Sequence, residues 1–255
     1  MRSPFLCICL VFTVGFVGCS GDPTGSGPDR IDPLPDADLR ILFVGNSLTF
    51  TNDLPALFAT VVEASGRSIA YATVALPDFS LEDHWNTRIA DVISGLQADI
   101  VVLQQGPSSL PQNRTHLRSW TETLTGPIRA AGGDPALYMV WPESTRLEAF
   151  DAVLESYRAA AVAVGGTFIP GGETWRAIWD RDSSVALYGP DGFHPSRIGS
   201  IAVALTMYAT LTETTASGLP ARLVPTSSDL PLIDLPAPTA RTLYAAVDET
   251  VARFR

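Results

Sequence analysis

The sequence predicts an α/β protein: a three-layer α/β/α sandwich on a central five-stranded parallel sheet. Two observations lead there. Short runs of aliphatic and β-branched residues alternate along the chain with longer stretches whose apolar residues recur at helical spacing. Strands alternating with helices of about 10–15 residues make βαβ units and hence a parallel sheet. The clearest runs, Ile41-Leu42-Phe43-Val44 and Ile100-Val101-Val102-Leu103, are apolar throughout instead of alternating with polar residues. Such strands are buried on both faces, and right-handed crossovers then place helices on either side of the sheet.

The elements follow in order. Residues 40–44 form the first strand. Residues 54–64 form a helix, with Leu54, Leu57, Phe58, Val61 and Val62 on one side. Residues 68–74 are the second strand, 83–96 a helix and 100–103 the third strand. A helix over 114–131 ends at Gly132-Gly133, and residues 136–140 make the fourth strand. A helix over 146–164 ends at Gly165-Gly166, before a short fifth strand at 167–170. Gly171-Gly172-Glu173 reads as a turn before a short helix. Residues 195–211 form a helix with Pro195 near its first turn, where a missing N–H costs nothing. Residues 212–235 are rich in Pro, Ser and Thr and read as irregular; residues 236–255 read as a last helix.

The first 38 residues stand apart. Residues 1–18 carry one positive charge, Arg2, then an apolar stretch ending at Gly18-Cys19. That is the pattern of an export signal, and the stretch falls short of the roughly 20 residues that span a bilayer. Phe16-Val17-Gly18-Cys19 resembles a bacterial lipobox, with Phe16 where an aliphatic residue is usual. The resemblance implies lipidation at Cys19 and anchoring at the cell envelope, in the outer membrane where one is present. Of three cysteines, Cys7 and Cys9 lie within the signal, so only Cys19 would survive processing. Residues 19–38 turn to Gly, Pro, Asp and Ser and read as a flexible tether. The fold then occupies residues 39–212, with 213–255 as an irregular segment and a helix packed on it.

The net charge is −10, and no basic stripe runs along the chain. Nucleic-acid binding, which needs phosphate neutralisation, is excluded as an expectation. Three scattered histidines make no metal-ligand cluster. No cofactor is expected.

Two short segments carry nucleophile chemistry. Gly45-Asn46-Ser47-Leu48-Thr49 follows the first strand, at the carboxyl edge where parallel sheets bind ligands. A serine in a tight strand-to-helix turn exposes its Oγ and its own N–H; read alone, it is equally a helix cap. Asp191-Gly192-Phe193-His194-Pro195 places a carboxylate and an imidazole three residues apart in a braced loop. The carboxylate can hold one ring nitrogen and leave the other to take a serine proton. Read alone, that pair is equally a surface Asp and a capping His. Gln104 and Gln105 share the carboxyl edge, beyond the third strand. His84, beside Trp85 at a helix start, reads as structural. Trp141, after the fourth strand, reads as cover for the core, with stacking on a sugar as the alternative.

Together the two segments resemble the first and last blocks of the SGNH (GDSL-like) hydrolases, in the variant with Asn before the serine. The resemblance covers about residues 40–211 and implies the flavodoxin-like SGNH fold. It implies ester hydrolysis, with Ser47 as nucleophile, His194 as general base and then acid, and Asp191 orienting His194. An extracytoplasmic glycan or lipid ester is the implied substrate; glycan O-acyl transfer and non-catalytic glycan binding are the alternatives. In that family the oxyanion is bound by the serine N–H, a second-block Gly and a third-block Asn. Here the second block offers no Gly, so the donor is expected from the backbone of Asp78 or Phe79. No Asn follows the third strand, so Gln104 is expected as the side-chain donor, ahead of Gln105 and Asn113.

Overall fold

The computed structural model describes residues 31–255. The export signal, Cys19 and residues 19–30 of the expected tether lie outside the described residues. Strands β1 (Leu39–Gly45), β2 (Ile69–Ala75), β3 (Ile100–Leu103), β4 (Asp134–Tyr138) and β5 (Thr167–Ile169) form one sheet in the order β2-β1-β3-β4-β5. Every pairing within it is parallel. From β1 the chain steps outward to β2 and then back past β1 to β3. The connections therefore diverge between the carboxyl ends of β1 and β3, the switch point at which such sheets bind ligands.

Ile41, Leu42, Phe43 and Val44 of β1 are all fully buried, as a strand covered on both faces must be. The helices are α1 (Ser47–Phe50), α2 (Leu54–Ala64), α3 (Leu81–Asn86), α4 (Ile89–Leu96), α5 (Pro111–Ala130), α6 (Phe150–Val164), α7 (Gly171–Arg181), α8 (Arg197–Thr212) and α9 (Ala237–Phe254). Helices α3 to α6 pack together, and α2, α7, α8 and α9 form the other group. The architecture is thus the α/β sandwich that the alternation of strands and helices predicts.

Three local expectations are corrected. The helix expected over 83–96 is two helices. Arg88, at φ 64°, takes a left-handed conformation between α3 and α4. Ser80 and Asp83 form a capping box that starts α3 earlier than expected. Gly171-Gly172 begins α7 and is not a turn. A Cβ on Gly171 would lie 2.8 Å from the Met139 carbonyl oxygen, and one on Gly172 2.4 Å from that of Val140. The two glycines are there for close helix–strand approach. Lastly, the end of the expected tether lies on the domain. Leu34 N–H donates to Leu96 O at 2.9 Å, and Ile31 packs over Gly95. Ile31 and Leu34 are the apolar residues of an otherwise polar stretch, and they cover the end of α4.

The segment after α8 is less irregular than its composition suggests. It holds a two-residue antiparallel pair, β6 (Arg222–Leu223) with β7 (Ile233–Asp234). Helix α9 then buries Leu243, Ala246, Val247 and Val251 against α7 and α8.

Phe43 sits in the middle of the sheet, with the Phe58 ring 5.8 Å away and the Tyr71 ring 6.3 Å away, both edge to face. Phe43→Ala is expected to lower unfolding free energy by about 3–5 kcal/mol, read from urea denaturation. A loss below about 1 kcal/mol would contradict the packing described.

Candidate active site

The turn after β1 is built from Gly45, Asn46 and Ser47. A Cβ on Gly45 would lie 2.3 Å from Thr49 Oγ1 and 2.5 Å from Gln104 Oε1, so no other residue fits without displacement. Asn46 is the N-cap of α1; its Oδ1 accepts from Leu48 N–H at 3.1 Å. Ser47 is the first residue of the helix and half-buried between buried neighbours. Its N–H is one of the amides a helix start leaves unsatisfied. Among the described residues it has no hydrogen-bond partner.

The second segment brings an imidazole to this turn. Asp191 Oδ1 accepts from the Phe193 N–H at 3.0 Å and the His194 N–H at 2.9 Å. Asp191 Oδ2 lies 2.5 Å from His194 Nδ1, and His194 Nε2 lies 2.9 Å from Ser47 Oγ. A carboxylate can only accept, so Nδ1 carries the ring proton and Nε2 is left to accept from the serine hydroxyl. The hydrogen bond from His194, and after it that from the Phe193 amide, hold the Asp191 carboxyl down at about 2.

Several groups fix the loop. Gly192 takes φ +70°, and its carbonyl accepts from Ser144 N–H at 2.8 Å. Trp141 Nε1 donates to Phe193 O at 2.9 Å. Trp141 is itself fully buried and stacks on Trp175 with ring centroids 3.5 Å apart. It therefore covers the core, as expected, and also holds the residue before the imidazole. Asn52 Nδ2 donates to Pro195 O and to Ser200 Oγ, each at 3.0 Å, which ties the segment after Ser47 to the loop and to α8.

The residues expected to bind an oxyanion fare differently. Phe79 N–H donates to Leu76 O at 3.3 Å, closing a turn with Pro77 second and Asp78 third. Asp78 takes φ 61°, the left-handed position that a type II turn requires and that Gly usually fills. An Asp tolerates it, which accounts for the missing glycine. The Asp78 N–H has no hydrogen-bond partner among the described residues, whereas that of Phe79 is taken.

For Gln104 the expectation is corrected. Gln104 is fully buried. Its Nε2 donates to Asn46 Oδ1 at 2.9 Å and to Gln105 O at 2.6 Å. An amide nitrogen has two hydrogens, so none remains for an oxyanion. Gln105 Nε2 donates to Ser108 Oγ at 2.9 Å, and its Oε1 accepts from Leu81 N–H at 3.2 Å. It holds the start of α3 against the loop after β3. Asn113, within α5, lies beyond this network.

His84 is fully buried and donates from Nε2 to Gly45 O at 2.8 Å. Burial lowers its pKa, so the ring is neutral and structural. His116 pairs with Glu82 at 2.9 Å on the surface. Asn46 and Asn52 are the site residues that sequence reading missed. Their polar side chains in a tight strand-to-helix connection are the available signal.

Comparison with solved structures shows the fold. A candidate SGNH hydrolase from Slackia heliotrinireducens matches with a TM-score of 0.57 at 24% identity, over 68% of this chain and 98% of its own. A DUF4886 family protein from Bacteroides uniformis matches with a TM-score of 0.70 at 16% identity, over 84% and 95%. A catalytic mutant of an acetylxylan esterase from Geobacillus stearothermophilus gives 0.56 at 12% identity, over 71% and 96%. The chain therefore has the α/β fold seen in SGNH hydrolase structures. No family profile matches the chain, and no curated protein matches it.

The folded-state value for Asp191, about 2, lies below the ordinary 3.8. Its contribution to stability is therefore complete above pH 3.8 and lost as pH falls towards 2. The Asp191 side chain is about half exposed, at 52%, so the contribution is small. Asp191→Asn should flatten the stability-against-pH curve in that interval and nowhere else, read by denaturation at each pH. Asp78→Gly should match or exceed the parent chain in stability, while Asp78→Val should lose about 1–2 kcal/mol. Equal melting temperatures for these two variants would argue against the left-handed turn.

Proposed function

We propose that this protein is a serine ester hydrolase of the SGNH type, cleaving an O-acyl ester through a covalent acyl-enzyme. The observation that carries the reading is the continuous relay of Asp191 Oδ2, His194 Nδ1, His194 Nε2 and Ser47 Oγ, with links of 2.5 and 2.9 Å. That is the arrangement that turns an ordinary hydroxyl into a nucleophile.

In the reaction, Ser47 Oγ bonds to the acyl carbon as its proton passes to His194 Nε2. The carbonyl oxygen becomes an oxyanion in reach of the Ser47 N–H, with the Asp78 N–H as second donor. Asn46 Nδ2 donates to Phe79 O at 3.0 Å, which keeps the Asp78 turn beside the serine. The tetrahedral intermediate collapses, the acyl–oxygen bond to the alcohol breaks, and the alcohol leaves with the proton from Nε2. Water then attacks the acyl carbon, its proton goes to Nε2, and the acid departs as Ser47 recovers its proton. Asp191, ionised down to about pH 2, stabilises the imidazolium formed in each half. The shared fold with an acetylxylan esterase supports this class of chemistry.

The lipobox-like segment supports anchoring through Cys19 and an acyl ester of the cell envelope, on a glycan or a lipid, as substrate. A Cys19→Ala chain expressed in a bacterial host should lose incorporation of labelled palmitate and its membrane fraction. Incorporation that survives the substitution would remove the anchor from this account.

The hydrolase reading is tested on a soluble chain lacking residues 1–30. It should hydrolyse p-nitrophenyl acetate and be labelled by a fluorophosphonate probe. Ser47→Ala should abolish labelling and lower kcat by at least about 10³-fold. Asp191→Asn should lower kcat by about 10²–10⁴-fold. Neither hydrolysis nor labelling in the parent chain would sink the reading.

A further inference from the structure

We infer that Gln104 is a positioning residue for Ser47, acting through Asn46 and not through the substrate. The inference rests on the hydrolase reading for its kinetic consequence, but the interaction itself is independent of it.

All four hydrogen-bonding positions of the Gln104 amide are filled. Its Oε1 accepts from the Asn46 N–H at 2.9 Å and from Thr49 Oγ1 at 2.7 Å. Its Nε2 donates to Asn46 Oδ1 and to Gln105 O. Gln104 thus grips Asn46 twice, once at the main chain and once at the side chain, in a reciprocal pair. It also grips Thr49, on the far side of Ser47. The serine lies between the two points held. Every one of these groups is buried, and a buried amide whose partners are all present rigidifies what it touches.

Asn46 passes the constraint on. Its Oδ1 serves the Leu48 N–H as well as Gln104, and its Nδ2 holds Phe79 O. The Phe79 carbonyl belongs to the turn that carries the Asp78 N–H. One amide–amide pair therefore sets the position of the nucleophile and of the proposed second oxyanion donor relative to each other. This explains the residue types. At position 46 the side chain must accept twice and donate once, which Asn can do and an ionised Asp cannot. At position 104 the side chain must cross from β3 to the turn after β1 and offer both an acceptor and two donors there. The small Gly45 leaves the space that Gln104 Oε1 enters.

A positioning residue and a direct oxyanion donor differ in one measurable way. If Gln104 acts through Asn46, removing either residue breaks the same unit, and removing both adds little. If Gln104 donates to the oxyanion itself, its loss multiplies with that of Asn46. The experiment is a double-mutant cycle of Asn46→Ala and Gln104→Leu on the soluble chain, with p-nitrophenyl acetate as substrate. Amide hydrogen exchange at Asn46 and Leu48 is measured by NMR alongside.

Each single variant is expected to lose about 10²-fold in kcat with KM little changed. The double variant should be within about threefold of the worse single variant. Exchange at the two amides should rise about tenfold or more in Gln104→Leu. Losses that multiply, a change confined to KM, or unaltered exchange would overturn the inference. Should Gln104→Leu not fold, Thr49→Val removes one of the four bonds with little change of shape. A smaller fall in kcat with faster exchange at Asn46 supports the clamp, and no change in either overturns it. Should the parent chain neither hydrolyse ester nor label, the hydrolase reading falls, and exchange in the variants alone decides whether the clamp exists.

Discussion

Val44 stands opposite Leu103 in the parallel pairing of β1 with β3, and Gln104 N–H donates to Val44 O at 2.9 Å. This register decides where the buried amide arrives. A slip of two residues would keep every apolar side chain on its own face, yet it would move Gln104 by about 7 Å along the strand. Asn46 would then lose its partner, and with it the geometry of the serine turn and of the Asp78 turn. The apolar pattern of the strands alone does not prevent such a slip. The polar pair at the carboxyl edge does, because a slipped register breaks the three bonds that the buried Gln104 amide makes to Asn46 and Thr49. The pairing of two strands and the chemistry of the site are in this sense one constraint.

The imidazole of His194 is held by different means. Its loop has few buried apolar residues of its own and is fixed by carbonyls that it offers to fixed donors. Trp141 takes Phe193 O, Ser144 takes Gly192 O, and Asn52 takes Pro195 O. Behind Trp141 stand Trp175, Trp179 and Tyr188, with successive ring contacts of 3.5 to 5.8 Å. Large rigid rings carry little side-chain freedom relative to their buried area. The imidazole is thus mounted on an aromatic column, and the serine on an amide clamp. The two mounts meet at the 2.9 Å contact between them and at Asn52.

Sequence alone carried the layer architecture, because uninterrupted apolar runs such as Ile100–Leu103 allow few other readings. It also carried the residues at the ends of those runs, since the carboxyl edge of a parallel sheet is where ligands bind. What it did not carry was the direction of side chains. Gln104 was correctly placed at the site edge, but nothing in its spacing distinguished an amide aimed at substrate from one aimed at Asn46. Gly171-Gly172 looked like a turn because close packing against Met139 and Val140 is a tertiary fact. Arg88 gave no signal at all: an Arg in a left-handed conformation is rare, and the break it makes depends on how α3 and α4 each meet the core. Asp78 follows β2 at the same edge, and nothing in its residue type announces the left-handed turn it takes.

Ser47 and His194 are 147 residues apart in sequence, and Asn52 reaches Pro195 across 143. The residues that grip the serine turn through Gln104, namely Asn46 and Thr49, both lie in the first half of the chain, whereas His194 follows the fifth strand and α7. In a chain growing from its amino end, the residues of the serine turn therefore emerge well before the imidazole that faces the serine hydroxyl. Contacts of such long range form late and slowly. On the hydrolase reading, activity needs this long-range docking, so its return on refolding would report that the carboxyl-terminal segment has reached the serine turn.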